Sequence, residues 1–301
     1  MDFLMSKMAP HILSIILKHL KSHPTFESIG IESYRNLLEK SAMAFKPDKS
    51  IKLKPLLIKT IEAQWLLPPQ PNEKRIIMYV HGGGYIAGSM NSHRDLASRI
   101  AIASDAKVLI FNYRLAPEHP FPYGLTDVKA VYQWLTENFK DTEKISLVAD
   151  SAGAGLTLAL LSELLIKGYP LPACSVLISP WIDLECKNNS HTTHQDKDPM
   201  LSQHILKNTA RLYTDKDLSD PMISPINSEF SGISPMLIQV GEHEVLVDDS
   251  KILTKKLNKS GTTVQLEIWD EMFHVWHYFA KYLSEGRQAI QHIGDFIKKY
   301  S

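Results

Sequence analysis

The sequence predicts an α/β protein whose largely parallel sheet is covered by helices on both faces, and three observations predict it. From about residue 75 onward, short apolar runs alternate with longer helical segments. These runs are continuously apolar, as is typical of parallel strands buried on both faces. No internal repeat or Gly/Ser-rich linker interrupts the alternation, so the 301 residues form one elaborated domain.

The predicted elements follow one another in the order that this fold class requires. Residues up to about 44 are mostly helical, and three β-rich runs bounded by Pro, Asn or Gly come next. The predicted strands are 51–60, 61–67, 75–80, 107–111, 145–149, 175–178, 236–240 and 263–269. The predicted helices are 92–103, 127–138, 152–167, 247–259 and a closing helix that ends near residue 300.

One segment breaks the alternation of strands and helices. Residues 183–222 are polar, and they make the connection between two neighbouring strands longer than the fold needs. We expect this segment and the N-terminal helices to form a small cap over the strand ends, where open α/β sheets bind ligands. The predicted division is a first part of the cap over 1–50, a catalytic domain over 51–182 and 223–301, and a second part of the cap over 183–222.

Composition excludes several classes of function. Lys and Arg together number 33, as do Asp and Glu, so no net field attracts nucleic acid. The two cysteines, Cys174 and Cys186, form no metal-binding motif, and we expect free thiols and a cytoplasmic location. The apolar patch at 11–17 is too short and too interrupted by basic residues for a signal peptide or membrane span, and predicts an amphipathic helix.

The strongest local signal is the run VADSAG at residues 148–153, which places Ser151 between a predicted strand and a predicted helix. This pattern is typical of a nucleophile elbow, a tight turn that requires very small residues two positions before and after the serine. Gly153 meets this requirement, whereas Ala149 stands where the usual pattern has glycine. A serine before a helix is also a common N-cap, so the hexapeptide alone leaves both roles open.

A second signal is the glycine-rich run YVHGGGY at residues 79–85. Acyl transfer needs backbone N–H donors fixed where the oxyanion forms, and glycine leaves such donors uncovered. We assign Gly83 and Gly84 as donors, with Ala152 as the third. A phosphate-binding loop is disfavoured because no Lys or Ser/Thr follows in the required spacing. A glycine triplet taken alone would also fit a plain flexible turn.

The general base must come from a late loop, where His274, His277 and His292 are the candidates. His274 follows a predicted strand and a short polar turn. His292 lies within the last predicted helix, and His277 lies one turn further along the chain than His274. We therefore predict His274 as the base.

The acid is expected after the predicted strand 236–240, because a nucleophile elbow is followed along the chain by an acid and then a histidine. Glu242, Glu244, Asp248 and Asp249 offer four carboxylates there. Asp248 and Asp249 fall in the first turn of a predicted helix, where they interact favourably with its dipole. We choose Glu244, which would accept the Nδ1 proton of His274 and stabilise the imidazolium.

Several motifs occur together in the span from about residue 76 to 274. They are HGGGY at 81–85, NYRLAPEHPFP at 112–122, DSAG at 150–153, SPW at 179–181, DP at 220–221, SP at 224–225 and the region of Glu244. In this combination the sequence resembles the hormone-sensitive-lipase-like family of α/β-hydrolases, which includes bacterial acetyl esterases and short-chain carboxylesterases. In that family the acid begins an Asp-Pro-Leu-like motif about 30 positions before the histidine, and the spacing from Glu244 to His274 agrees.

The resemblance implies the α/β-hydrolase fold with a small helical cap, and hydrolysis of short-chain carboxylic esters through an acyl-enzyme. It assigns the site to Ser151, Glu244, His274, Gly83, Gly84 and Ala152. It implies no cofactor, no metal and a small-molecule ester as substrate, and it leaves a homodimer open. It also implies that Arg114 and Glu118 brace loops near the site.

Two departures from the family pattern concern rate more than reaction class. Ala149 replaces the elbow glycine, and Glu244 replaces the usual aspartate, which adds a methylene that the loop must absorb. We expect both to alter rate and substrate preference while leaving the chemistry intact.

Three alternatives stay open. The same triad would serve an amide or N-acetyl deacetylase or a lactone hydrolase. A non-catalytic small-molecule receptor on a hydrolase scaffold is another, although such receptors lose the histidine. A metal hydrolase is the third, since His191 with His194 and His274 with His277 form closely spaced pairs, but neither pair has a convincing third ligand.

Overall fold

The computed structural model describes residues 13–139 and 145–301, which form one eight-stranded sheet with helices on both faces. The strands are β1 (Lys52–Ile58), β2 (Ile61–Leu67), β3 (Ile76–Val80), β4 (Lys107–Phe111), β5 (Ile145–Asp150), β6 (Ser175–Ile178), β7 (Met236–Gly241) and β8 (Val264–Trp269). Their order is β1-β2-β4-β3-β5-β6-β7-β8, with β3 to β8 mutually parallel and β1 and β2 antiparallel to their neighbours. The predicted mostly parallel sheet is confirmed.

Ten helices are described around the sheet. They are α1, described over 13–21, α2 (Phe26–Ile29), α3 (Ile31–Ala42), α4 (Met90–Ser104), α5 (Tyr123–Asn138), α6 (Ala152–Lys167), α7 (Ser190–Thr193), α8 (Gln203–Tyr213), α9 (Val247–Lys259) and α10 (Ser284–Tyr300). The N-terminal amphipathic helix is confirmed from residue 13 onward, where Ile16 and Leu20 are buried. The beginning of the apolar patch, at residues 11 and 12, lies outside the described residues.

The strands are apolar throughout because the sheet separates two hydrophobic cores. In β3, Met78 and Val80 belong to a core that includes side chains of α5, α6 and α9. Ile77 and Tyr79 point into the second core, which α4 and α10 cover. Alternate residues of one strand therefore supply both cores, which explains why the run shows no polar alternation.

The register brings three strand ends to one place at the middle of the sheet. Val80 of β3 pairs with Ala149 of β5, and Ala149 pairs with Leu177 of β6. The glycine-rich loop, Ser151 and Ser179 follow these strands directly. The carboxyl ends of parallel strands thus gather the sequence motifs at the edge where such sheets bind ligands.

Arg35 of helix α3 bonds both the loop that follows β3 and the loop that follows β4. Arg35 donates from Nε to the carbonyl oxygen of Ile86 (2.6 Å) and from Nη2 to that of Ala116 (2.8 Å). It also makes a bidentate pair with Glu118, at 2.8 and 2.9 Å. Planar guanidinium donors match this set of acceptors. The predicted bracing role of Glu118 is confirmed, as is that of Arg114, which pairs with Asp127.

Replacing Arg35 with lysine should lower the free energy of unfolding by about 1–3 kcal/mol, because a lysine cannot reach all four acceptors and leaves buried carbonyl groups unpaired. Urea unfolding followed by circular dichroism measures this. Arg99→Lys is the matched control, since Arg99 donates to only one carboxylate, that of Asp95 on the same helix. Equal losses in the two variants would contradict the anchoring role of Arg35.

The structure also describes both cysteines and the length of every helix in the described residues. Cys174 and Cys186 are both buried free thiols, as predicted. Within residues 13–139 and 145–301, no helix is long and apolar enough to cross a membrane.

Candidate active site

Ser151 occupies a strained turn between β5 and α6. Its φ of 51° lies in the left-handed region, and its ψ is −123°. A Cβ at Gly153 would lie 2.2 Å from the carbonyl oxygen of Val80, so only glycine fits there. Ala149 is fully buried within the first core and keeps its strand pairing, so the fold accommodates its methyl group. The predicted elbow geometry is present.

The structure brings Ser151, His274 and Glu244 together in a chain of hydrogen bonds. The Nε2 atom of His274 lies 3.0 Å from Oγ of Ser151. Its Nδ1 atom lies 2.9 Å from Oε2 of Glu244. With the Nδ1 proton donated to the carboxylate, Nε2 is free to accept a proton from the serine. Three residues far apart in sequence therefore form a hydroxyl–imidazole–carboxylate relay.

Glu244 is held in place through its second oxygen. Oε1 accepts hydrogen bonds from the Gly241 N–H (2.6 Å) and from the Ser179 hydroxyl (2.7 Å). The side chain is fully buried, so its charge acts on His274 without screening by water. These bonds fix the carboxylate of Glu244 in the orientation that presents Oε2 to His274.

The other candidate acids have different partners. Glu242 accepts the Glu271 N–H, and Asp248 accepts the Ser190 N–H. Asp249 accepts the N–H groups of Ile182 and Asp183. Only Glu244 of the four contacts His274.

The other candidate bases also lie outside the relay. His277 is buried and bonds Gln239 at 2.8 Å, and burial lowers its pKa to about 3, which keeps it neutral. His292 lies 3.2 Å from Glu267 and is half-exposed. Neither imidazole contacts Ser151 within the described residues.

The basicity of His274 is set by opposing effects. Burial by itself lowers its pKa, but the hydrogen bond to Glu244 and the negative charge of that carboxylate raise it, with smaller contributions from Asp198 and Asp150. The net effect is a pKa above the usual 6.5. A more basic imidazole takes the proton of Ser151 more readily.

The glycine-rich loop leaves two backbone donors free. Gly82 donates its N–H to Oδ1 of Asp150 at 3.1 Å and is therefore occupied. For Gly83 and Gly84 the described residues provide no acceptor, and both glycines line the same pocket as Ser151. Ala152 is the first residue of α6, where an N–H has no acceptor within the helix. None of the three assigned N–H groups therefore has an acceptor within the described residues.

The shape of the loop explains its glycines. Gly83 has a φ of +112°, and a Cβ there would lie 2.2 Å from the carbonyl oxygen of Ala87. Because the backbone of Ala87 lies this close to Gly83, the Ala87 N–H donates to the Gly83 carbonyl oxygen at 2.9 Å. A side chain at this position would open the loop and displace its donors.

Two residues that hold the site have no assigned role in the sequence prediction. Asp150 is buried and accepts the Tyr79 hydroxyl (2.8 Å) as well as the Gly82 N–H, so it fixes the glycine-rich loop beside the serine. Ser179 accepts the Val275 N–H (3.1 Å) while it donates to Glu244, and so it links the acid to the residue after His274. Both occur within recognised motifs, but their partners are distant in sequence.

The pocket beside Ser151 encloses about 300 Å³ and is mostly apolar. Ser151, His274, Gly83 and Gly84 line it together. Most of its apolar lining comes from two separate segments of the chain. The N-terminal helices supply Leu20, Phe26, Tyr34 and Leu38, and the connection between β6 and β7 supplies Met200, Leu201, Ile205 and Leu206.

One buried cluster of potential metal ligands occurs in the described residues. It consists of Asp183, His191 and Asp249. Asp249 already accepts three N–H donors, the third from Asn188, and Asp183 accepts the N–H groups of Glu185 and Lys187. None of the three ligands lines the pocket of Ser151. These hydrogen bonds give the cluster a structural role, because they connect the segment after β6 to α9.

Comparison with known proteins gives strong similarity along most of the chain. A family model described as an alpha/beta hydrolase fold matches residues 77–278. An acetyl-hydrolase of Streptomyces hygroscopicus is 43% identical over 237 residues, which are 78% of this chain and 79% of the relative.

Two solved structures are similar over nearly the whole length. An esterase/lipase from an uncultured bacterium is 39% identical with a TM-score of 0.91, covering 96% of this chain and 98% of its own. An esterase from the bacterial hormone-sensitive lipase family is 38% identical with a TM-score of 0.90, covering 96% and 97%. The two solved structures therefore share the fold of this chain over nearly its whole length.

Proposed function

Because the chain belongs to the hormone-sensitive-lipase-like family of α/β-hydrolases and is a carboxylic ester hydrolase, we propose that Ser151, His274 and Glu244 are its catalytic triad. The observation that carries this proposal is the unbroken relay from Ser151 Oγ through His274 to Glu244, at 3.0 and 2.9 Å. Both distances are those of good hydrogen bonds. The relay ends beside free backbone donors in an apolar pocket, which is what acyl transfer requires.

The reaction runs in two halves. Ser151 Oγ attacks the ester carbonyl carbon while His274 Nε2 takes its proton, and the oxyanion accepts hydrogen bonds from Gly83, Gly84 and Ala152. The carbon–oxygen bond to the alcohol then breaks, and His274 returns the proton to the leaving alkoxide. Water next attacks the acyl-Ser151 ester, with His274 again as base, and releases the carboxylic acid.

The substrates proposed are esters with short acyl chains. The pocket volume of about 300 Å³ is at the low end for small-molecule sites, and its walls are mostly apolar. The same triad attacks amides and lactones, but an amine leaving group needs more complete protonation than an alcohol. A non-catalytic receptor is disfavoured because His274 is present and in contact with both partners.

A series of p-nitrophenyl esters from acetate to laurate tests this function. We expect kcat/KM to be greatest among the short acyl chains and to fall steeply by laurate, since added methylenes no longer fit the pocket. Labelling with phenylmethylsulfonyl fluoride and mass spectrometry should place the adduct on Ser151. Preference for laurate would contradict the short-chain assignment, and turnover of anilides alone would favour the amidase alternative.

We further propose that residues 1–50 and 183–222 act together as the cap. This is supported by pocket walls drawn from both segments and by the contacts of Glu27 in the first segment with Asn208 and with His204 in the second, the His204 Nε2 atom lying 3.2 Å from Oε1 of Glu27. Residues 1–12 lie outside the described residues. A cytoplasmic location and the lack of a nucleic-acid partner are supported by the two free thiols and the balanced charge.

A further inference from the structure

Asp198 lies in the connection between β6 and β7 and is 6% exposed. Its Oδ1 atom accepts the N–H groups of Met200 (2.9 Å) and Leu201 (3.0 Å). Its Oδ2 atom accepts the N–H of Val245 at 3.0 Å. A buried carboxylate with three backbone donors is a fixed structural link.

The three donors belong to two parts of the site. Met200 and Leu201 line the pocket beside Ser151. Val245 directly follows Glu244 in the turn that presents the acid to His274. One side chain therefore connects the pocket wall with the turn that carries the acid.

The link to Val245 depends on a feature of this sequence. The resemblance implies an Asp-Pro-Leu-like motif at the acid, and proline has no N–H to donate. Here Val245 stands at the proline position and supplies the N–H that Asp198 accepts. Residues 244–247 form a type I turn, in which Leu246 has φ −90° and ψ 5° and the Val247 N–H lies 3.3 Å from the Glu244 carbonyl oxygen. Val245 is at position i+1 of this turn, which proline also favours. The turn therefore accepts either valine or proline.

Asp198 also adds a second buried negative charge beside His274. The pKa of Asp198 is raised to about 6, chiefly by burial and in part by the charge of Glu244, while His274 and the N–H groups of Met200 and Val245 act in the opposite direction. In return, Asp198 contributes to raising the pKa of His274, together with Glu244 and Asp150. His277 also lies near His274, but burial lowers the pKa of His277 to about 3 and keeps it neutral.

We propose that Asp198 is a positioning residue that holds the turn of Glu244 against the pocket wall and thereby keeps the carboxylate of Glu244 in contact with His274. The inference rests on the proposed triad. It assigns to the connection between β6 and β7 a part in orienting the acid, in addition to its part in lining the pocket.

Asp198→Asn tests the charge. The variant retains one oxygen acceptor but removes the negative charge near His274, so the pKa of His274 falls. We expect the acid limb of the kcat/KM profile for p-nitrophenyl butyrate to move to lower pH, with kcat at neutral pH reduced by up to about 100-fold through misplacement of the relay. Asp183→Asn is the matched control, because Asp183 is a buried aspartate of the same segment that accepts two backbone N–H groups but has no bond to Val245.

Val245→Pro tests the hydrogen bond while the charge stays. It removes one donor at a turn position that proline favours, and we expect a several-fold loss of kcat without the shift of the acid limb. An unmoved acid limb in Asp198→Asn, an equal shift in Asp183→Asn, or full kcat in Val245→Pro would each overturn the proposal. If Asp198→Asn fails to fold, Val245→Pro decides. Failure of the triad itself is distinguishable, because wild-type activity would then survive replacement of Ser151.

Discussion

Replacing Ser151 with alanine should reduce kcat/KM for p-nitrophenyl butyrate by roughly 10³- to 10⁶-fold while the protein stays folded. In the proposed mechanism Oγ of Ser151 forms the acyl-enzyme bond, and the substitution removes this atom, which is the group in contact with His274 Nε2. The fold should survive, because the Ser151 side chain makes no capping hydrogen bond to α6. Steady-state kinetics together with a urea unfolding curve measure the two effects separately.

Ser89→Ala provides the matched control for this experiment. Ser89 caps α4, where its hydroxyl accepts the N–H groups of Asn91 and Ser92, so its removal should lower the free energy of unfolding by about 1 kcal/mol. Its effect on kcat should be small, because Ser89 does not line the pocket. If Ser151→Ala behaved like Ser89→Ala, with lost stability and retained turnover, Ser151 would be an N-cap and not the nucleophile.

The elements around the site could be predicted because their signals are local. A tight turn with small neighbours made Ser151 a candidate, a glycine triplet after a strand made Gly83 and Gly84 candidates, and the combination of the two favoured a catalytic role. The choice of Glu244 among four carboxylates also agrees with the geometry, because Glu244 bonds His274 whereas the other three carboxylates accept hydrogen bonds from other groups. Apolar runs without alternation were sufficient for the parallel sheet, since its strands are buried on both faces.

The supporting contacts could not be predicted because they join loops that are distant in sequence. Asp150 bonds Gly82 across 68 positions, and Ser179 bonds Glu244 across 65. Such pairs depend on strand order, which places β3, β5, β6 and β7 side by side. A polar residue next to a motif carries no sequence signal that says which loop it will face. The same limit applies to Arg35, whose acceptors lie on two separate loops.

Replacing Glu244 with glutamine should lower kcat by roughly 10³- to 10⁴-fold with little change in KM. One oxygen of Glu244 accepts from both Gly241 and Ser179, and the other accepts from His274. An amide has only one oxygen, so its NH₂ group must face either the Gly241 N–H or the His274 ring. The first arrangement sets two donors against each other, and the second reverses the tautomer so that Nε2 carries a proton and cannot act as a base.

Asp248→Asn is the control that separates this effect from a general loss of charge near the turn. Asp248 accepts the Ser190 N–H and lies 3.5 Å from Lys251, without contact to His274. Its neutralisation should change kcat by less than about 3-fold, as expected for a partly exposed ion pair. If Asp248→Asn were the more damaging of the two variants, the acid of the relay would be Asp248, and the hydrogen bond between Glu244 and His274 would have only a structural role.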